Sequence, residues 1–170
     1  MKGLSPKDRA IWPVIGLREA HCELGTGDGS STLASAMNLD SISTSCPCGL
    51  PTTQEACCGR YITGFEAAPT PEALMRSRYT AFAMGTKAGV GYLLATHHPE
   101  FRPPNLERDL GATMGDTHWT SLQIRSSSSD GDVGVVEFVA GYRDDGQVGE
   151  MRERSQFLRE KGLWLYTTGS

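Results

Sequence analysis

The second half of the chain alternates apolar and polar residues, and this alternation predicts four β-strands. From Trp119 onward the pattern has a period of two, which places successive side chains on opposite faces of a strand. Glycine-containing turns separate the predicted strands, which cover residues 119–126, 133–143, 147–159 and 163–168. Because each turn is short, neighbouring strands run in opposite directions, and the sequence predicts an antiparallel meander.

The segment before these strands has helical periodicity instead. Thr70 is a typical helix cap, Pro71 suits the first turn and Gly85 suits the end, so a helix is predicted over residues 71–85. A second helix is predicted over residues 88–96, and residues 101–115 are predicted to form a loop with one helical turn. Helices followed by a meander indicate an α+β fold, in which a curved sheet wraps the helices and can leave a cavity.

Composition and charge narrow the possible partners. The 170 residues suit one domain with an appendage, and 38% hydrophobic residues can form a real core. The net charge of −4 provides no basic surface field for a phosphate backbone, so we expect no nucleic-acid partner. No apolar run approaches the roughly 18 residues that span a bilayer, so we expect no membrane insertion.

The beginning of the chain is unlike the rest. Residues 25–45 are dominated by Gly, Ser and Thr and contain too few aromatic and branched residues to form a core. We interpret residues 1–45 as a flexible N-terminal extension. Charged residues such as Asp8, Arg9 and Glu19 interrupt the apolar region that a signal peptide needs, so a cytoplasmic location is expected.

Four of the five cysteines are clustered between these two regions, at Cys46, Cys48, Cys57 and Cys58. Residues two apart on an extended segment project to the same side, so the first two thiolates can point together. A tight turn would supply the other two, and four sulfurs at about 2.3 Å complete a tetrahedral zinc shell with no open position. The sequence therefore predicts a structural zinc knuckle over residues 46–60, followed by the α+β domain over residues 61–170.

Other uses of four clustered cysteines stay open at this point. Adjacent cysteines such as Cys57 and Cys58 form a disulfide with each other only under strain. Iron–sulfur clusters also use thiolates, but their usual C-x₂-C spacings are absent here. Copper(I) is a further soft metal that thiolates bind. Zinc is the default expectation for this pattern.

Several segments resemble known families. The run from Cys46 to Gly59 resembles the SEC-C motif, C-P-C-G followed by C-C-G or C-H-G, of the C-terminal tail of the preprotein translocase motor SecA. Three later segments resemble the YchJ-like family: AAPTPEALMRSRYTAFAMG at residues 67–85, YLLATHHPEFRP at 92–103 and ERSQFLREKGLWLY at 153–166. The resemblance implies a zinc knuckle followed by a cone-shaped domain similar to nuclear transport factor 2, and it implies no established reaction.

One departure from the SEC-C motif bears on the partner. The usual G-S-G-K after the second cysteine is replaced by Gly49-Leu50-Pro51-Thr52, and Glu55 adds a negative charge. The basic residues that would dock on an acidic partner are therefore missing. A protein partner that binds the knuckle remains an expectation, but the departure argues against the recognition of the SecB chaperone that the SecA tail performs.

Polar residues on apolar faces are the candidates for a pocket in the cone. Arg78 and Tyr79 lie on the first predicted helix, Glu137 and Glu153 on predicted strands, and His97 at a helix end. Each also has a simpler interpretation. A buried Arg78 would form a structural ion pair with a sheet carboxylate, and His97 would complement the helix dipole. The sequence has no nucleophile elbow, phosphate loop or H-E-x-x-H motif, so we assign no catalytic residue.

Together these observations predict a cytoplasmic zinc-binding protein that acts as a non-catalytic binding or adaptor protein. The alternative is a small-molecule-binding protein or an enzyme of the dehydratase or isomerase type, with its pocket in the cone. An enclosed pocket of about 300 Å³ or more, lined by several of the candidates, would favour the alternative.

Overall fold

Four antiparallel strands form the sheet of the computed structural model, which describes residues 45–114, 117–144 and 146–170. The strands are β1 (His118–Asp130), β2 (Val133–Asp144), β3 (Gln147–Glu160) and β4 (Leu163–Gly169). They lie side by side in the order in which they occur in the chain, which confirms the predicted meander. The prediction was too short for β1, which continues past residue 126 to Asp130.

Hairpin turns with left-handed residues join the strands. Lys161 and Gly162 both have positive φ, at 49° and 83°, as the two-residue turn between β3 and β4 requires. Gly131 has a φ of 56° in the turn between β1 and β2. The sequence signals for these turns are local, which explains why they could be recognised without tertiary information.

Four α-helical segments precede the sheet: α1 (Arg60–Ile62), α2 (Pro71–Met84), α3 (Lys87–Ala95) and α4 (Leu106–Thr113). A 3₁₀ turn covers Pro99–Phe101. The start of α2 is as predicted, because the Thr70 side chain accepts a hydrogen bond from the backbone N–H of Ala73 at 3.1 Å. Its end is also as predicted, because Gly85 adopts the left-handed conformation, with φ 59°.

The predicted loop over residues 101–115 is wrong in part, because α4 occupies eight of its positions. Leu106 and Leu110 are one turn apart on this helix and are 5% and 4% exposed. Burial of these two leucines stabilises a helix that is too short to form on its own.

The helices cover one face of the curved sheet. Leu74, Met75 and Tyr79 of α2 belong to the same buried core as Val136 and Phe138 of β2. The Tyr79 ring meets the ring of Trp119 edge-on, with centroids 5.9 Å apart. The arrangement confirms the predicted α+β fold of helices packed on an antiparallel sheet.

The predicted N-terminal extension lies outside the described residues, apart from Ser45. Among the described residues, no helix is both long enough and apolar enough to cross a membrane.

Candidate metal centre and polar cluster

A short loop closed by backbone hydrogen bonds presents the first two cysteines. The N–H of Cys46 donates to the carbonyl of Thr52 at 2.9 Å, and Ser45 forms a bridge with Thr53. The N–H of Gly49 donates back to the carbonyl of Cys46 at 3.0 Å, and the φ of Gly49 is 84°. Glycine adopts this left-handed conformation without strain, so the loop can turn sharply after Cys48.

A single irregular turn presents the other two cysteines. Glu55–Gly59 forms a π-helical turn that is kinked at Cys57, whose φ and ψ are −108° and −106°. The N–H of Gly59 closes the turn by donating to the carbonyl of Gln54 at 2.7 Å. The kink explains how adjacent cysteines both reach the same point, although a regular helix would direct their side chains apart.

The four sulfurs have the spacing of a tetrahedral metal site. All four Sγ atoms lie within 4.8 Å of one another. Cys48 and Cys57 are 3.6 Å apart, and Cys57 and Cys58 are 3.9 Å apart. Four sulfurs at the zinc–sulfur distance of about 2.3 Å would be about 3.8 Å apart, so this donor set fits such an ion.

The close approach of the sulfurs also shifts the pKa values of three of the four cysteines. Burial and the neighbouring sulfur of Cys48 raise the pKa of Cys57 to about 12. Hydrogen bonding to Cys46 and Cys48, with burial, raises the pKa of Cys58, while hydrogen bonds from Cys48 and Cys58 lower the pKa of Cys46. Protons are therefore retained on part of the cluster when no metal is bound, and a metal must displace them to be held by four thiolates.

Gly59 is the glycine of the knuckle with the least room for a side chain. A Cβ at this position would lie 2.8 Å from the carbonyl oxygen of Gln54. We expect Gly59→Ala to open the turn and to lower the temperature at which zinc is released, as measured by a colorimetric zinc indicator during a thermal ramp. The matched control is Gly91→Ala on α3, where a Cβ meets nothing within 4 Å and should stabilise the helix by about 0.5–1 kcal/mol. Equal release temperatures for the two variants would contradict this prediction.

The knuckle is packed directly against α2. Sγ of Cys46 lies 3.7 Å from Oγ1 of Thr80. Nη1 of Arg76 donates to the carbonyl of Cys48 at 3.0 Å, while its Nε bonds Glu72 at 2.8 Å. The four cysteines belong to the same buried core as the helices and the sheet. Loss of the knuckle structure should therefore also destabilise α2.

A second polar group is buried inside the cone, around the ring of Tyr166. The guanidinium carbon of Arg78 lies 4.6 Å from the centre of this ring. Nη1 of Arg78 donates to the carbonyl of Leu93 at 2.9 Å and to Oγ1 of Thr96 at 2.8 Å. The expected ion pair is not formed, because no carboxylate of a described residue contacts Arg78 directly. Burial lowers the pKa of Arg78 to about 10, so it is still charged at neutral pH.

Glu153 and His97 complete this polar cluster. Oε1 of Glu153 accepts hydrogen bonds from Oγ of Ser155 at 2.6 Å and from the Tyr166 hydroxyl at 3.4 Å. Burial raises the pKa of Glu153. The His97 ring meets Tyr166 edge-on at 5.1 Å, and its Nε2 lies 3.2 Å from the carbonyl of Phe101. Nδ1 of His97 and Nε of Arg78 are buried without a partner among the described residues.

The other two pocket candidates lie elsewhere. Tyr79 packs against Trp119, and Glu137 forms an ion pair with Arg154 at 3.3 Å. Two open clefts, of about 380 and 310 Å³, are present in the described part of the protein, and neither is lined by Arg78, Tyr79 or His97. Glu137 and Glu153 both line the smaller one. The pocket roles predicted for these residues remain predictions, because the position of a side chain does not by itself show what chemistry it performs.

Comparison with known proteins agrees with this architecture. A family model described as "YchJ, middle NTF2-like domain" matches residues 70–169. The chain belongs to the YchJ-like family. A UPF0225 protein of Streptomyces coelicolor is 45% identical over 128 residues, which cover 73% of this chain and 93% of that protein. A UPF0225 protein of Chromobacterium violaceum is 46% identical over 129 residues, which cover 73% and 90%.

Two solved structures with a similar fold are described as SEC-C motif containing proteins. The solution structure of a SEC-C motif containing protein from Rhodopseudomonas palustris has a TM-score of 0.66 and 33% identity, with 75% of this chain and 98% of that chain covered. A SEC-C motif containing protein from Psychrobacter arcticus has a TM-score of 0.62 at 24% identity, covering 76% and 82%, and supports the fold alone. The predicted YchJ-like family and nuclear transport factor 2-like fold are thus confirmed.

The sequence did not single out Tyr166 and Ser155, although both contact Glu153. The alternation in β4 contained a usable signal. Trp164 and Tyr166 are 6% and 2% exposed, so a strict period of two directs both rings to the core. Ser155 follows Glu153 by two residues and therefore shares its face.

Proposed function

We propose that this member of the family is a cytoplasmic, zinc-dependent protein-binding module without catalytic activity. The observation that carries the proposal is a groove of about 380 Å³ that lies directly beside the metal centre. Cys57 and Cys58 form part of its wall, so the metal that holds these two residues also holds the shape of the groove. Four thiolates leave the metal no open coordination position, which favours a structural role.

The lining of the groove indicates which partner fits. Apolar contact surface comes from Leu50, Ala56, Pro69, Ala73 and the ring of Tyr61. The charged residues of the lining already have partners within the protein. Arg76 pairs with Glu72 at 2.8 Å and Arg60 with Glu66 at 3.9 Å. Because Arg76 and Glu72 pair closely with each other and most of the remaining wall is apolar, the occupant that we infer is an extended peptide that binds through apolar side chains.

A random peptide library displayed on phage is the probe that tests this proposal. Selection on the zinc-loaded protein should enrich peptides rich in apolar residues. Leu50→Asp should abolish their binding, because this 39% exposed side chain lies in the groove wall. The matched control is Leu163→Asp, a 49% exposed leucine at the start of β4 that does not line the groove. If the selected peptides bind wild type and Leu50→Asp equally, or if no peptide is enriched, the groove is not a peptide-binding site.

The polar cluster around Tyr166 favours a second candidate function. A buried carboxyl with a raised pKa beside a buried cation is a common feature of acid–base sites, so turnover of a small molecule in the cone, of dehydratase or isomerase type, is the alternative. The two functions respond to different changes. Turnover by the alternative should fall in Glu153→Gln and persist in Leu50→Asp, whereas peptide binding should show the reverse.

A further inference from the structure

The smaller cleft is lined by three arginines, together with Glu137, Phe138, Val139, Glu153 and Ser170. Arg125 comes from β1, and Arg152 and Arg154 come from β3. Arg152 and Arg154 are two residues apart and therefore share one face of the strand. Phe138 and Ala140 of β2 face the helical core, so Glu137 and Val139, which alternate with them, face the arginines.

Strand register explains how the three arginines converge. Arg154 pairs with Glu137 and Arg152 pairs with Val139 across β2 and β3. On the other side of β2, the β1–β2 register shifts between Ile124 and Ser126, so Arg125 is the extra residue of a bulge. Bulges redirect a side chain. Since β1 and β3 are about 10 Å apart across β2, long side chains from both strands can reach one ligand.

The environment of the arginines leaves their donors available. The Arg125 side chain makes no ion pair with any described residue, and the contact of Arg152 with Glu150 is a loose 3.7 Å between exposed side chains. Only Arg154 has a close carboxylate, Glu137 at 3.3 Å. Each guanidinium carries five N–H donors in a planar fork that matches an oxyanion.

The floor of the cleft is apolar and partly protected from water. Val139 is only 7% exposed although it faces away from the helical core, so neighbouring side chains on the outer face cover it. Glu153 also lines the cleft, but its carboxyl is turned into the protein, toward Ser155 and Tyr166. Burial favours the neutral form of that carboxyl, which reduces its repulsion of an anion.

We propose that this cleft binds a small oxyanion, namely phosphate or the phosphate group of a monoester, through Arg125, Arg152 and Arg154. The volume of about 310 Å³ lies at the lower end of the range for small-molecule sites. It leaves room for an organic group over Val139 beside the phosphate. The site is separate from the groove beside the metal centre and does not depend on the proposed peptide binding.

Isothermal titration of the zinc-loaded full chain with inorganic phosphate and with phenyl phosphate, at constant ionic strength set with chloride, tests the site. Wild type should bind both, and Arg125→Gln and Arg152→Gln should each weaken binding by about tenfold or more, because charge-assisted hydrogen bonds are lost. Arg125→Lys should bind with intermediate affinity, because it keeps the charge and loses the fork. Both arginines are exposed, so the variants should melt at the wild-type temperature.

The control is Arg108→Gln on α4, which removes the same charge from an exposed side chain away from the cleft. Tighter binding of phenyl phosphate would assign the site to a monoester, and equal affinity would assign it to phosphate itself; both support the oxyanion site. No binding by wild type would overturn the proposal. Equal weakening by Arg108→Gln would also overturn it, because the anion would then respond only to net charge. Unchanged binding in Arg125→Gln and Arg152→Gln would overturn it as well, because the anion would then bind elsewhere.

Discussion

Cys58→Ser is expected to lower the zinc content of the purified protein from roughly one equivalent to less than half, since three thiolates leave the tetrahedral shell open. The same variant should unfold at a lower denaturant concentration than wild type. Cys58 is 1% exposed and lies in the core that also contains Leu74 and Met75 of α2. Loss of the metal should therefore disorder part of this core and lower the stability of the protein. Elemental analysis and urea unfolding measure the two effects.

Cys22→Ser is the control for this experiment, because it makes the same substitution at the one cysteine of the sequence that is not among the four predicted ligands. It should retain both the zinc and the stability of wild type. Full zinc content in Cys58→Ser would exclude the four-thiolate site. Normal zinc in wild type with unchanged urea unfolding in Cys58→Ser would instead show that the metal does not support the core.

The stability of the protein should depend on pH through His97. Burial lowers the pKa of this imidazole to about 4, and the positive charges of Arg78, Arg102 and His98 act in the same direction. Between pH 6.5 and 4 the unfolded chain binds a proton at this position that the folded chain does not bind. The free energy of unfolding should therefore fall as the pH falls through this window, by about 3 kcal/mol from this group, and should level off below it.

His97→Phe removes the titrating group and keeps an aromatic ring against Tyr166. We expect the variant to be less stable than wild type at pH 7, where the hydrogen bond of Nε2 to the Phe101 carbonyl is lost, and to approach or exceed wild type near pH 4.5. Urea unfolding at both pH values, with the exposed His118→Gln as the control, measures the difference. If the free energy of unfolding differs between wild type and His97→Phe by the same amount at pH 7 and pH 4.5, His97 does not titrate as its burial requires.

Local signals explain the parts of the fold that could be predicted. Thr70 and Gly85 bound α2 because a cap and a left-handed glycine act on their own helix. The α4 helix was missed because its stability depends on the burial of Leu106 and Leu110, which no local signal reports. The cysteines were predicted as one group because their chemistry and short spacing suffice, whereas the kink at Cys57 that directs them is visible only in three dimensions.

Neighbours along the chain were enough to predict α2, α3, the order of the strands, the hairpin turns and the set of four sulfurs, but not α4. Which distant groups meet depends on how the helices and strands pack. Tyr166 brings Arg78, His97 and Glu153 together, while Tyr79 packs against Trp119. The bulge at Arg125 and the pairing of β2 with β3 placed three arginines around one cleft. Such contacts depend on strand register and on helix packing, which result from many weak interactions across the whole chain. No single position in the sequence therefore predicts them.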